Sequence, residues 1–126
     1  MNTGHEGSLT TIHGNSPRDA LDRLATLAMM AGERLGSEEL ARMVSRTIEL
    51  VVQLQVTART GQRRVASIFE VTGVEGGVIA GHELWGLDHG RLAWRGRLPR
   101  CLDKMVAQGI DYTPPIGVPG TVEMRP

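Results

Sequence analysis

The sequence predicts an α/β domain, and three observations carry that prediction. A β-rich run at residues 8–13 breaks at Gly14 and leads into the helix-start signal Ser16-Pro17-Arg18-Asp19. At Leu50 the apolar period changes from that of a helix to the period of two that marks a strand. Beyond it, short β-branched and aromatic runs alternate with glycine-containing turns.

Each element follows from its own residues. Ser8-Leu9-Thr10-Thr11-Ile12-His13 reads as a first strand. Ser16 then serves as N-cap, with Pro17 at the first helical position, where its missing N–H costs no hydrogen bond. Leu21, Leu24, Ala25 and Ala28 form the apolar face of this helix, and Gly32 suits its exit. A second helix starts at the N-cap Ser37, with Glu38 and Glu39 favouring the positive end of the helix dipole. Its inward face is Leu40, Met43, Val44, Thr47 and Ile48.

Val52, Leu54 and Val56 alternate with Val51, Gln53 and Gln55, which predicts a strand with one buried face. After a turn at Arg59-Thr60-Gly61-Gln62, Val65, Ser67, Phe69 and Val71 return as its hairpin partner. The glycine-rich stretch 73–90 predicts a short strand at Gly77-Val78-Ile79-Ala80 and a further segment at Glu83-Leu84-Trp85, followed by another strand at Arg91-Leu92-Ala93-Trp94. A last short helix covers 99–108, is stopped by Gly109 and turns Leu102, Met105 and Val106 inward. Residues 110–126, with Pro114, Pro115, Pro119 and Pro126, read as an extended, mobile tail.

Composition narrows the function classes. With 126 residues, 40% of them apolar and 22% charged, the chain can build one modest core. Fourteen basic and fourteen acidic residues cancel, so nothing pulls the whole molecule toward nucleic acid or anionic lipid. No secretory signal or transmembrane run is evident, and a reducing cytoplasm fits best. Lys104 is the single lysine and lies outside any glycine-rich turn, so this sequence has no Walker A motif.

The candidate chemistry gathers around the first strand. Thr11, His13, Asn15 and Ser16 sit where a strand feeds a helix N-terminus, a place where open α/β sheets collect ligands and where hydrogen-bond donors suit an anion. A histidine there also serves to tie down a turn, and both readings stand. His5 and His13 are eight residues apart, which is not the i, i+4 spacing of two metal ligands on one helix face, so no metal is expected. Cys101, alone on an amphipathic segment, reads as packing. Arg91, Arg95, Arg97 and Arg100 around Trp94 could grip phosphates, or simply form a solvated face.

The run Met1-Asn2-Thr3-Gly4-His5-Glu6-Gly7-Ser8-Leu9-Thr10-Thr11-Ile12-His13-Gly14-Asn15-Ser16-Pro17-Arg18-Asp19, continuing to Leu24, closely resembles the His box of type II/type IV secretion ATPases. The resemblance is nearest to the tight-adherence (Tad) pilus assembly branch. It continues through Glu49-Leu50-Val51-Val52-Gln53-Leu54 and Arg63 to Gly73, and more loosely through Gly96, Pro99, Leu102 and Gly109.

The resemblance implies that residues 1–109 are the C-terminal portion of the motor domain. They would form the closing half of a RecA-like P-loop core, with the His box at 4–16 and the proline-rich tail at 110–126. It implies ATP and Mg2+ as the family's cofactors, a homo-hexamer, an inner-membrane platform protein as partner, no nucleic acid, and a cytoplasmic place at the inner face of the membrane. His13 and His5 carry over as phosphate-sensing residues, with Thr11 and Arg18 as weaker candidates near the nucleotide phosphates. Gly14 stands where the family usually has alanine, which reads as a mild change. The Walker A lysine, the magnesium ligands and the acidic catalytic residues have no counterpart, so the chain alone is expected to be inactive. The alternative is a non-catalytic interaction module that docks on full-length ATPase subunits or on the platform protein.

Overall fold

The computed structural model describes residues 7–32 and 34–113. Two helices, α1 (Pro17–Met30) and α2 (Ser37–Thr47), precede four strands, β1 (Leu50–Val56), β2 (Arg63–Glu75), β3 (Val78–Asp88) and β4 (Arg91–Trp94), and a short helix α3 (Leu102–Ala107) follows. The strands form one sheet in the order β1-β2-β3-β4, an antiparallel meander. The domain is thus mixed α and β, as the sequence predicts, with a larger antiparallel sheet than the single hairpin expected.

Chain contacts divide the molecule into two units, Met1–Glu49 with Val71–Gly81 and Leu50–Glu70 with His82–Pro126. In the first unit α1 and α2 pack on each other. Ala20, Leu21, Leu40, Ala41 and Val44 are buried there, as are Val71 and Ile79 from the β2–β3 hairpin. The predicted stripe of α1 holds, since Leu21 is buried and Leu24, Ala25 and Ala28 are half-buried. Met43 on α2 departs from its predicted inward place and is 40% exposed. The cap of α2 is Gly36 rather than Ser37, and the Glu39 carboxylate accepts from the Gly36 N–H at 3.1 Å.

In the second unit β1 and β2 pair from Leu50 opposite Glu70 to Val56 opposite Arg63, with a bulge between Gln53 and Leu54 that leaves Ala66 without an opposite residue. Gly61, at φ +66°, closes the connecting turn, and its N–H bonds the Thr57 carbonyl at 2.8 Å. Phe69, Leu84 and Ala93 form the apolar core of this unit, together with the buried polar side chains of Ser67 and Glu70.

Two expectations need correction. The run 8–13 is irregular rather than a strand, because the four-stranded sheet pairs with itself and offers this segment no ladder. Residues 73–90 are not a loop with one short strand: β2 and β3 run through them, turning at Gly76 and Gly77, both with positive φ. A two-residue turn of this kind needs φ above zero at both positions, which glycine adopts without steric cost, so the glycines mark a hairpin. The same geometry recurs at His89-Gly90 between β3 and β4, where His89 takes φ +46°. In α3 no residue is fully buried, and Val106, expected inward, is 61% exposed.

Candidate functional site

The predicted site lies at the entrance to α1. Ser16 caps the helix as its sequence signal requires, its hydroxyl accepting from the Asp19 N–H at 3.1 Å. The Asp19 carboxylate reaches back and accepts from the Asn15 N–H at 2.7 Å. Of the first three helical residues, Pro17 has no N–H and the N–H of Asp19 is already used. The Asp19 carboxylate also offsets part of the positive dipole end. Any anion held here therefore depends mainly on side chains of the preceding segment, and less on the helix terminus than the sequence suggests.

That segment presents Thr11 and His13 to solvent, both exposed. His5 lies outside the described residues. Gly14 fixes the path between His13 and the helix, since a Cβ on it would stand 2.8 Å from the Ala20 Cβ and 2.9 Å from its N and Cα atoms. Alanine at this position is no mild exchange here: the backbone comes so near to α1 that only glycine fits without a shift. Arg18 turns toward the β2–β3 hairpin, donating at 3.4 Å to the carbonyls of Ile79 and Gly81. With Leu21, Asp22, Val78 and Ile79 it lines a shallow depression. The structure thus keeps Thr11 and His13 on one exposed segment and directs Arg18 to backbone carbonyls.

A second polar group, absent from the sequence prediction, is built on β2 and β3 in the other unit. The side chain of Glu70 is only 3% exposed. Its Oε1 accepts from the Arg100 N–H at 2.6 Å, and its Oε2 lies 3.2 Å from His82 Nε2. Beside it, Ser67 donates to Glu83 Oε1 at 2.7 Å and Arg95 Nε donates to Glu83 Oε2 at 2.8 Å. Gly86 leaves the room that this carboxylate fills, since a Cβ there would fall on the Glu83 carboxylate. The one sequence signal was a glutamate between Phe69 and Val71, both apolar; simple alternation would have placed it outside.

Two residues of the arginine run, Arg95 and Arg100, join this network. Arg95 is ion-paired, the Arg97 carbonyl accepts from Trp94 Nε1 at 3.0 Å, and the Arg100 N–H is held by Glu70. Among the described residues no group of three or more His, Cys, Asp or Glu side chains is arranged to hold a metal ion, and no helix is long and apolar enough to cross a membrane.

Comparison with known proteins gives this geometry its context. The profile of the type II/IV secretion system protein family matches residues 1–82, well over half of the chain. The chain belongs to that family. Conjugal transfer protein TrbB of Rhizobium radiobacter is 36% identical over 73 residues, 57% of this chain and 20% of that protein. A putative conjugal transfer protein of Mycobacterium tuberculosis is 31% identical over 90 residues, 71% of this chain and 24% of its own length. A probable TrbB of Sinorhizobium fredii is 34% identical over 70 residues, 56% of this chain and 20% of that protein. The chain therefore spans about a fifth to a quarter of the relatives it matches. The matched family region holds the whole His13 segment, α1, α2, β1 and β2, and the first five residues of β3, ending at His82.

Proposed function

We propose that this chain is the C-terminal part of a secretion-system motor ATPase, of the kind that couples ATP hydrolysis to type II/IV secretion or to pilus assembly. The observation that carries the reading is the family match over residues 1–82, which includes the complete run from His5 to Arg18. In this reading residues 4–16 are the His box, and the exposed His13 side chain senses the γ-phosphate side of a nucleotide held elsewhere in the protein. His5, Thr11 and Arg18 assist it. The RecA-like core, a homo-hexameric ring, ATP with Mg2+, and a platform protein at the inner face of the membrane belong to the complete motor.

The run from Met1 to Leu24 supports placement near the Tad pilus branch, while the relatives named for conjugal transfer support a motor of the secretion type more generally. A phosphate sensor needs a donor close to the transferring group and free of competing structural duties. His13 meets the second condition by its exposure, and Gly14 holds its backbone against α1.

The chain carries its only lysine at Lys104, outside any glycine-rich turn, and therefore lacks the residue that cradles the β and γ phosphates. It hydrolyses no ATP alone. The decisive experiment places His13→Ala in a longer protein that also carries the P-loop. Turnover falls by about 10- to 1000-fold, the usual cost of one preorganised donor, with ATP binding kept because the P-loop supplies it. Unchanged turnover would refute the sensor role, and parallel loss of binding, turnover and melting temperature would make His13 a structural residue.

A further inference from the structure

We propose that Asp19 is a positioning residue for His13: its carboxylate ties the turn that follows His13 to the first turn of α1, so that histidine and helix keep one geometry. The proposal rests on the sensor reading of His13 and adds to it the residue that aims the sensor.

The residues after His13 are fastened to one turn of helix. The Asp19 carboxylate accepts from the Asn15 N–H at 2.7 Å through Oδ2. The Asp19 N–H donates to the Ser16 hydroxyl at 3.1 Å. The backbone of Gly14 comes so near to the next helical residue that a Cβ on it would stand 2.8 Å from the Ala20 Cβ. Gly14, Asn15 and Ser16 are thus each held by Asp19 or Ala20. These contacts lie wholly within residues 14–20, so they do not depend on what surrounds the segment in a longer protein.

The bond to Asn15 is the one made by a carboxylate, and it is short, as charge-assisted bonds are. It lies at the surface between residues four apart, so its main effect is to restrict the local backbone. Its donor is two residues from His13. Without the carboxylate the Asn15 N–H turns to water, and rotation about Gly14 and Asn15 swings the His13 side chain while Ser16 still caps α1. Misplacing a reacting group by about 1 Å costs up to about 100-fold in rate. The same carboxylate also stands at the positive end of the helix dipole, and chemistry separates the two roles. Asparagine keeps an oxygen to accept from the Asn15 N–H but carries no charge, so it preserves a clamp and abolishes a charge–dipole interaction.

Two experiments test the clamp and its consequence. In the full chain, amide order parameters at Gly14 and Asn15 are expected near the rigid value of about 0.85, falling below about 0.6 in Asp19→Ala and returning in Asp19→Asn, while α1 beyond its first turn is unchanged. In a longer protein that carries the P-loop, Asp19→Ala is expected to lower kcat by about 10- to 100-fold with the KM for ATP unchanged, and Asp19→Asn to restore most of the rate. In a His13→Ala background Asp19→Ala should cost nothing further, because a positioning residue acts only through the group it positions. Order parameters that stay high in Asp19→Ala, equal losses of rate in Asp19→Ala and Asp19→Asn, or an independent loss in the double variant would each overturn the proposal. An unchanged rate in His13→Ala would remove the sensor reading and this role together, so the histidine variant alone tells the two failures apart.

Discussion

Replacing Glu70 by alanine should cost about as much as truncating a buried apolar side chain of the sheet. The carboxylate is almost fully buried, accepts from the Arg100 N–H at 2.6 Å and lies 3.2 Å from His82 Nε2. Hydrogen bonds to a charged group contribute about 1.5–3 kcal/mol each, and removing a buried acceptor also leaves its donor unpaired at about 1–3 kcal/mol. These terms overlap and are not additive, so Glu70→Ala is expected to destabilise by about 3 kcal/mol. Glu70→Gln keeps an oxygen for the Arg100 N–H and loses only the charge, at about 1–2 kcal/mol. Urea unfolding followed by tryptophan fluorescence measures both, because Trp85 and Trp94 are cross-strand partners in the same unit as Glu70. An alanine variant within about 0.5 kcal/mol of the parent, or a glutamine variant as costly as alanine, would refute the idea that this carboxylate fastens the segment before α3 to β2.

Other substitutions test the remaining local arguments. Ser16→Ala removes the bond to the Asp19 N–H and should lower stability by about 1 kcal/mol in the same unfolding assay, with Ser16→Asp restoring most of it. Gly14→Ala forces a methyl against the backbone of Ala20 and should cost about 1–3 kcal/mol; a stability equal to that of the parent would mean the segment moves freely from the helix. Gly86→Ala pushes the Glu83 carboxylate away from Ser67 and Arg95, for a loss of about 1–2 kcal/mol, and in a Glu83→Ala background the same change should cost much less.

The helices were legible because their signals are local. Ser16, Pro17 and Asp19 fix the start of α1 within one turn, and the spacing of Leu21, Leu24, Ala25 and Ala28 identifies its inner face without reference to the rest of the fold. Strands depend on partners, and there local reading was weaker. The run 8–13 has the composition of a strand, yet in the structure it has no ladder to join. The length of β2 and β3 was hidden because Gly73, Gly76 and Gly77 look like loop residues until their turn is recognised as the tip of one long hairpin. The buried Glu70 was hidden for a related reason. Strand alternation assigns it to the outside, and only its neighbours His82 and Arg100, 12 and 30 residues away in the chain, make burial of a carboxylate tolerable.

The two polar groups differ in the way that functional and structural residues usually differ. Around Glu70 and Glu83 three of the four carboxylate oxygens accept a hydrogen bond from the protein, while the buried Glu70 Oε2 and His82 Nε2 approach to 3.2 Å without one. At the entrance to α1 the cap is satisfied by Ser16 and Asp19, which leaves His13 and Thr11 exposed on a backbone that Gly14 confines. A side chain that does no work in the fold, on a segment held closely in place, can be spent on a ligand at little cost to stability. That is why the sensor reading predicts a loss of turnover from His13→Ala with little change in melting temperature. On the sensor reading Gly14 is the more sensitive position for folding, and His13 the one whose loss a turnover assay of the longer protein would register.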